Sequence, residues 1–220
     1  MKACKLFSGE KRVYVRQRGR MTKAQSHALE RFAEYEITDG SQILSSFDYQ
    51  EPIAIEIGFG MGHSLVRYAA MNPEVTCIGV DVYLPGIGSL IRQCEVQGLD
   101  NIRISNRDGN SFLNSVGDKS IETIMVFFPD PWPKKRHSKR RLVNEEFCSC
   151  IARKLKQHGN VYLATDSIQY ANQIEAVFER QSDMSGGKSD RPSARLESHY
   201  DTRSQRLGNE VIDFAYLKSN

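Results

Sequence analysis

The chain has 220 residues, of which 40% are hydrophobic and 26% charged, and its net charge is +3. This size and composition fit one globular domain with a single core. No apolar run is long enough to span a membrane, and residues 1–8 lack the apolar stretch of a signal peptide, so we expect a soluble protein. Five cysteines without a Cys-x-x-Cys pair argue against a disulfide framework and a four-thiolate zinc site, and they favour reduced thiols in a cytoplasmic protein.

Positive charge is concentrated in two segments of the chain. Of the 30 Lys and Arg residues, six lie in residues 11–23 and six in residues 134–141, and neither segment contains an acid. A single basic run is usually a solvated loop, but two such runs on an otherwise acidic chain favour a docking face for a polyanion. We expect residues 1–20 to form a flexible basic arm and residues 21–220 to form one domain.

The first predicted element is a helix near the amino terminus. Thr22 and Gln25 have the spacing of a capping box, and the apolar residues after them recur at helical intervals. A helix of roughly three to four turns is therefore predicted, ending before Asp39.

From residue 53 onwards, short apolar segments alternate with amphipathic ones. Strands are predicted at residues 53–57, 75–80, 101–105, 121–128 and 161–164, and helices at residues 62–71, 84–96, 110–116 and 168–180. A further helix begins after Asn144 and ends before Gly159, which has the position of a helix stop. Residues 182–190 have the composition of a flexible linker, and residues 194–200 and 211–217 are predicted to form a closing pair of strands. The alternation predicts an α/β fold, with a doubly wound, mostly parallel, seven-stranded sheet and helices on both faces.

A set of acids and glycines lies at or just beyond the carboxyl ends of the first three predicted strands: Glu56, Gly58, Gly60, Gly62, Asp81 and Asp108. The glycines let a ligand approach the backbone and the N–H groups of a helix start, although alone this motif is weak. Acids at the ends of the second and third strands occupy the positions that contact a nucleoside in doubly wound folds. Each acid alone could cap a helix, but the whole set fits a nucleoside site better.

The segment after the fourth predicted strand combines an acid, an aromatic residue and dense positive charge. Asp130 lies between Pro129 and Pro131, which restrict the backbone, and Trp132 precedes the basic run of residues 134–141. This order predicts the edge of a pocket that meets nucleic acid. Trp132 either stacks on a base or anchors the loop in the core, and the sequence does not decide between the two.

These residues resemble the bacterial tRNA (guanine-N7-)-methyltransferase family, within the class I S-adenosylmethionine-dependent methyltransferases. The likeness is carried by residues 15–23, 56–62, 127–132, 164–166 and 206–208, which span nearly the whole chain. It implies a Rossmann-like methyltransferase fold, S-adenosyl-L-methionine as cofactor and tRNA as partner. The implied reaction is methyl transfer to N7 of guanine 46 in the tRNA variable loop, with no metal ion.

The resemblance also implies roles for individual residues. The cofactor-binding positions are Glu56, Gly58, Gly60, Gly62, Asp81, Asp108 and Asp130, of which Asp130 is also the catalytic position. The substrate-binding positions are Lys134, Asp166, Ser198, His199, Tyr200 and Asp201. The RNA-binding positions are Arg136, His137, Ser138, Lys139, Arg140 and Arg141. Guanine N7 carries a lone pair and no proton, so positioning can supply much of the rate without a general base.

Two other functions stay open from the sequence. Residues 198–201 differ from the family's typical Thr-x-Phe-Glu, so the alternative is a non-catalytic or substrate-shifted RNA-binding relative. The retained acids argue against a pure binder, which needs no cofactor pocket. A nicotinamide-dependent oxidoreductase is disfavoured, because the dinucleotide fingerprint would place its last glycine at His63. The sequence is compatible with a monomer or a homodimer.

Overall fold

The computed structural model describes residues 20–43, 52–193 and 195–219. Apart from Arg20, the predicted basic arm of residues 1–20 lies outside the described residues. Within the described part of the chain, no helix is long and apolar enough to cross a membrane.

The strands of the structure are β1 (Ile53–Ile57), β2 (Thr76–Val80), β3 (Ile102–Ser105), β4 (Ile121–Phe127), β5 (Leu155–Thr165), β6 (Met184–Ser189) and β7 (Ile212–Lys218). They form one seven-stranded sheet in the order β3-β2-β1-β4-β5-β7-β6. The first five strands pair in parallel, and β7 runs antiparallel to both β5 and β6. The predicted mostly parallel sheet is therefore confirmed.

The α-helices are α1 (Lys23–Ala28), α2 (Phe32–Tyr35), α3 (His63–Met71), α4 (Leu84–Gln97), α5 (Gly109–Ser115), α6 (Glu145–Lys154), α7 (Ile168–Phe178) and α8 (His199–Arg206). The 3-10 turn Leu29–Arg31 joins α1 to α2, so the predicted first helix is present with an interruption. Its capping box is confirmed: Thr22 Oγ1 accepts a hydrogen bond from the Gln25 amide at 3.2 Å, and the Thr22 amide donates to Gln25 Oε1 at 2.9 Å.

Helices cover both faces of the sheet, as predicted. Alternate residues of a strand point to opposite faces, and in β1 Ile53, Ile55 and Ile57 belong to one buried cluster while Ala54 belongs to the other. The first cluster contains the buried residues of α5, α6 and α7, and the second contains those of α3 and α4. The two clusters therefore form the cores on the two sides of the sheet.

The strand order reverses between β1 and β4. From β1 the chain moves outwards through β2 and β3, and it then returns to place β4 against the other edge of β1. In open parallel sheets of this kind, a ligand crevice forms outside the carboxyl ends of the strands at this reversal. The residues that follow β1, β2, β3 and β4 are brought together there.

The helix that starts after Asn144 ends earlier than predicted. Its cap is confirmed, because Asn144 Oδ1 accepts a backbone hydrogen bond at 3.0 Å. The helix stops at Lys154, however, and the buried Leu155 already pairs with Ile121 as the first residue of β5. The prediction that Gly159 stops the helix is wrong, since Gly159 lies inside β5. Burial and sheet pairing of Leu155 outweigh the local glycine signal.

Two predictions near the carboxyl end are also wrong. Residues 182–190, predicted as a linker, contain strand β6, and residues 195–198 have no regular structure where a strand was predicted. Gly186 explains the first error: its φ is +137°, and a Cβ there would lie 2.1 Å from the Ala215 carbonyl oxygen of β7. The glycine that suggested flexibility is required for close strand pairing. The other predicted partner strand, at residues 211–217, is confirmed as β7.

Candidate active site

An open cleft of about 1390 Å³ lies outside the carboxyl ends of the parallel strands. Its lining includes most of the predicted cofactor and substrate positions: Glu56, Gly58, Gly60, Gly62, Asp81, Asp108, Asp130, Asp166, Ser198 and Tyr200. These residues come from six separate parts of the chain. The strand reversal between β1 and β4 therefore brings together the groups that the sequence predicted to act together.

The glycine turn between β1 and α3 follows a path that other residues rarely adopt. Gly58, Gly60 and Gly62 have φ angles of +74°, +56° and +83°. The Gly60 amide donates to Asp81 Oδ2 at 2.9 Å, which ties this turn to the end of β2. A Cβ on Gly86 of α4 would lie 1.9 Å from the Gly60 carbonyl oxygen, so α4 also packs tightly against the turn. The backbone of the turn consequently forms one wall of the cleft.

Two acids lie beside this turn. Glu56 is 3% exposed, and its Oε2 has no hydrogen-bond partner among the described residues. Burial, together with the nearby Asp81, raises the pKa of Glu56 to about 8. Asp81 is held by the amides of Gly60 and Tyr83, and burial raises its pKa despite those hydrogen bonds. A buried carboxylate oxygen without a partner is costly, so this site suits a ligand that brings a cation or hydrogen-bond donors.

Asp108 caps a helix and also lines the cleft, so its cap position is compatible with the predicted cofactor-binding role. It is the N-cap of α5, where its Oδ1 accepts hydrogen bonds from the amides of Asn110 at 3.0 Å and Ser111 at 3.3 Å. It also lines the cleft at the end of β3. The cap fixes the position of the carboxylate, because both accepted bonds come from the rigid first turn of the helix.

The loop after β4 enters the cleft through two strained residues. Phe128 and Trp132 have φ angles of +51° and +41°, a backbone conformation that residues other than glycine rarely adopt. Between them, Pro129, Asp130 and Pro131 line the cleft. The Phe128 amide continues the sheet by donating to a β5 carbonyl at 2.8 Å. The start of the loop therefore continues the sheet, and the loop places Asp130 in the wall of the cleft.

Another wall of the cleft is formed by residues just after β5 and around the start of α8. Asp166 accepts a hydrogen bond from Ser204 Oγ at 2.9 Å. The Tyr200 ring stacks on Phe128 with centroids 5.1 Å apart. Asp166, Ser198 and Tyr200 thus face the same cleft as Asp130.

Comparison with known proteins identifies the family of the chain. The family model described as "Putative methyltransferase" matches residues 50–214. The tRNA (guanine-N(7)-)-methyltransferase of Acidithiobacillus ferrooxidans is 38% identical over 216 residues, which cover 94% of both chains. The protein of the same name from Pseudomonas entomophila is 39% identical over 217 residues, which cover 93% of this chain and 90% of the relative.

The chain belongs to the tRNA (guanine-N(7)-)-methyltransferase family. Solved structures of more distant methyltransferases share the fold. An rRNA methylase from Streptococcus thermophilus has a TM-score of 0.55 at 13% identity, over 92% of this chain and all of that chain. A phosphoethanolamine N-methyltransferase from Haemonchus contortus, solved with S-adenosylhomocysteine, has a TM-score of 0.53 at 14% identity, over 89% of this chain and 52% of that chain.

Among the described side chains, two that the family resemblance places in substrate binding, Lys134 and Asp201, do not line the cleft. Lys134 is exposed beyond the Asp130 loop. The side chain of His199 lies outside the described part of the structure. Asp201 is 1% exposed and accepts hydrogen bonds from the Ser198 amide and hydroxyl, both at 2.8 Å, and from Arg195. Its position favours a supporting role beneath the substrate wall rather than direct contact.

Arg195 is a site residue that the sequence predictions missed. It is 3% exposed and donates to Asp213 Oδ1 at 2.6 Å and to Asp201 Oδ1 at 2.8 Å. Its guanidinium also lies over the Phe128 ring, 5.2 Å from the centroid. One buried arginine thus connects β7, the start of α8 and the loop after β4. No sequence pattern marked Arg195 as a site residue, because an isolated arginine in a polar segment is typical of a surface position.

The predicted RNA-binding run forms the 3-10 helix Lys135–Arg140 beside the cleft. Arg136, Lys139 and Arg140 are exposed, and His137 and Ser138 are partly exposed. The Arg140 guanidinium lies 5.0 Å from the centroid of the Trp132 ring, and the His137 ring meets Trp132 edge-on at 5.8 Å. The partly exposed Trp132 therefore packs against the basic run and is not buried in the core.

Arg141 differs from the other described residues of the run in its burial. It is 6% exposed, and its Nε donates to the Pro131 carbonyl oxygen at 2.8 Å. Its burial separates it from Arg136 and Arg140, the exposed arginines of the run. Among the described residues, no group of three or more His, Cys, Asp or Glu side chains is arranged to hold a metal ion.

Proposed function

We propose that this chain transfers a methyl group from S-adenosyl-L-methionine to N7 of guanine 46 in the variable loop of tRNA, in the cytoplasm. The observation that carries this proposal is the position of Asp130. Asp130 lines the same cleft as Asp166 and as the acids at the carboxyl ends of β1 to β3, and exposed cations begin a few residues after it. A donor site, a base site and a polyanion surface therefore meet at one loop. The names of the 38–39% identical relatives support the same reaction.

The donor side of the cleft fits S-adenosyl-L-methionine. The unpartnered Oε2 of Glu56 suits the cationic part of the molecule, Asp81 suits ribose hydroxyls, and Asp108 suits the adenine amino group. When bound, the molecule supplies a methyl group on a positively charged sulfur, and the sulfur keeps the bonding electron pair after transfer. The positive-φ glycine turn leaves room for such a ligand against the backbone.

The acceptor side needs carboxylates but no general base. Guanine N7 donates its lone pair to the methyl carbon and has no proton to lose. Asp130 and Asp166 can accept hydrogen bonds from N1–H and the N2 amino group, which would turn N7 towards the donor. Their negative charges would also stabilise the positive charge that the purine gains on alkylation. The protein's contribution is therefore orientation and electrostatic stabilisation.

The exposed cations beside the cleft fit the tRNA backbone. Arg136, Lys139 and Arg140 project from a short helix that starts just after the Asp130 loop. Contacts of this kind give affinity and orientation without reading sequence. Lys134, also exposed, extends this surface towards the cleft.

The proposal is tested by incubating the protein with methyl-labelled S-adenosylmethionine and an unmodified tRNA transcript. The product is then treated chemically to break the chain at 7-methylguanosine. We expect label in the tRNA and one break, in the variable loop, and neither in a transcript with adenine at position 46. Label without a break would mean that another atom is methylated. No label despite measured binding of both ligands would favour the non-catalytic RNA-binding alternative and contradict the proposal.

A further inference from the structure

Arg141 ends the basic run but makes its contacts inside the protein. Its Nε donates to the Pro131 carbonyl oxygen at 2.8 Å, and its Nη1 donates to Gln173 Oε1 on α7 at 2.8 Å. The guanidinium also lies over the Tyr170 ring of α7, 5.1 Å from the centroid. Arg141 therefore connects the loop that carries Asp130 to a helix of the core.

The α7 side of this connection is itself fixed. The Tyr170 hydroxyl accepts a hydrogen bond from the Val143 amide at 2.9 Å, and Gln173 Nε2 donates to the Val143 carbonyl at 2.8 Å. Tyr170 and Val143 are fully buried. Gln173 thus bonds to Arg141 with its oxygen and to Val143 with its nitrogen. The segment after the basic run is therefore bonded to α7 both at Arg141 and at Val143.

The other end of the connection is one residue from Asp130. Pro131 has no N–H, so its carbonyl is the only backbone group through which hydrogen bonding can fix this residue. The neighbouring prolines limit the rotation of Asp130, and a bond to the Pro131 carbonyl fixes the remaining freedom of the loop. A flat guanidinium can donate in two directions at once, towards Pro131 and towards Gln173, which a lysine cannot do with the same geometry.

We propose that Arg141 is a positioning residue, which sets the place of Asp130 through the Pro131 carbonyl and does not contact RNA phosphate. The inference rests on the proposed function for its effect on rate. Its effect on the loop is independent of that function. Arg140, the preceding residue, is exposed and provides the natural contrast.

The chain offers a probe of this loop, because Trp132 is its single tryptophan. Arg141→Ala and Gln173→Ala should change the emission of Trp132 and increase its quenching by acrylamide, since both release the loop from α7. Arg180→Ala removes an exposed arginine just after α7 and should leave Trp132 emission unchanged. This measurement needs neither cofactor nor tRNA.

Two functional measurements separate positioning from phosphate contact. In single turnovers at saturating tRNA and S-adenosylmethionine, Arg141→Ala should lower the methylation rate by about 100-fold, as small misplacements of reacting groups do. Gln173→Ala should lower it less, and Arg141→Lys should not restore it. The tRNA affinity of Arg141→Ala should stay within about threefold, with an unchanged salt slope, whereas Arg140→Ala should reduce the slope by about 1.

The proposal is overturned if Arg141→Ala reduces the salt slope and regains its rate at high tRNA concentration, because that is the behaviour of a phosphate contact. It is also overturned if Trp132 emission and quenching are unchanged in both Arg141→Ala and Gln173→Ala. If Arg141→Ala does not fold, Gln173→Ala and Arg141→Lys give the same comparison. If the wild-type chain does not methylate tRNA, the proposed function fails, but the fluorescence result still decides whether Arg141 holds the loop.

Discussion

The two sides of the cleft are built in different ways. On the donor side, Glu56, Asp81 and Asp108 project from or just beyond the ends of parallel strands, and they are placed by sheet register and local backbone amides. On the acceptor side, Asp130 lies on a loop and Tyr200 in the first turn of α8, and the buried arginines Arg141 and Arg195 join these segments to the core. Changes on the donor side should therefore stay local. Substitutions in the buried arginine networks of the acceptor side should also change the position of the loop that carries Asp130.

At a fixed pH, the largest effect on stability is expected for Asp201→Asn, which removes one charge from the buried network around Arg195. Arg195 stays paired with Asp213, but the new amide group turns a donor towards the Arg195 and Ser198 groups that donate to Asp201. A buried donor that loses its acceptor typically costs about 1–3 kcal/mol, and more when the donor is charged. We expect a loss of about 3 kcal/mol in the free energy of unfolding, measured by urea denaturation. Glu197→Gln, an exposed acid of the same segment, should change it by less than about 0.5 kcal/mol. Equal effects of the two substitutions would contradict a special role for the buried network.

Among substitutions that leave the fold intact, Asp130→Asn should slow the methylation reaction most. The substitution keeps the shape of the side chain and one hydrogen-bond acceptor, but it removes the negative charge that would stabilise the purine cation as it forms. We expect single-turnover methylation to slow by about 100-fold, the usual cost of removing one electrostatic group at a reacting centre. Asp100→Asn, on the exposed turn before β3, serves as the control. A rate within threefold of wild type would rule out the electrostatic role of Asp130.

The same contrast explains what the sequence could predict. Parallel strands converge at one edge, so apolar runs followed by acids were sufficient to place Glu56, Asp81 and Asp108 in one site. Arg141 bonds to residues that are 10 and 32 positions away in the sequence, and Arg195 bonds to residues that are 6 and 18 positions away. A local sequence pattern cannot predict contacts of this kind. One signal was present: Leu142 and Val143 follow Arg141 directly, and both are buried. A basic run that enters the core at its end should have marked its last arginine as an internal residue.

Errors in the fold have a similar origin. Glycine and serine are common both in linkers and in edge strands that pass close to a neighbour, so composition alone could not identify β6. Its partner β7 supplies the missing information, and that partner lies more than 20 residues further on. Likewise, Gly159 gave a local helix-stop signal, whereas the actual stop is set by pairing of Leu155 with Ile121.

A pH-dependent effect should distinguish the donor side. The pKa of Glu56 in the folded chain is about 8, above its ordinary value of 4.5, so between these pH values the folded state holds a proton that the unfolded state has released. The stabilisation is complete below about pH 4.5 and is lost as the pH rises to 8, by at most about 1.4 kcal/mol per pH unit. Glu56→Gln should remove this dependence. Urea denaturation of both proteins from pH 5 to pH 8 measures it, and a constant difference between them would contradict the raised pKa.

The smallest effect is expected for alanine substitutions at two glycines, Gly60 and Gly98. Comparison of the two variants separates the cost of backbone strain from an effect on ligand binding. Gly60 and Gly98 have similar φ angles, +56° and +66°, and a Cβ on either would meet no atom within 4 Å. Alanine should therefore cost each a similar free energy of unfolding, about 1–2 kcal/mol, because both positions need the left-handed conformation. Gly98 ends α4 and does not itself line the cleft, whereas Gly60 lines the cleft and its amide donates to Asp81. Calorimetric titration with S-adenosylmethionine should show weaker binding for Gly60→Ala and wild-type binding for Gly98→Ala. If both variants bind equally well, the glycine turn has only a structural role, and the donor side depends on its acids alone.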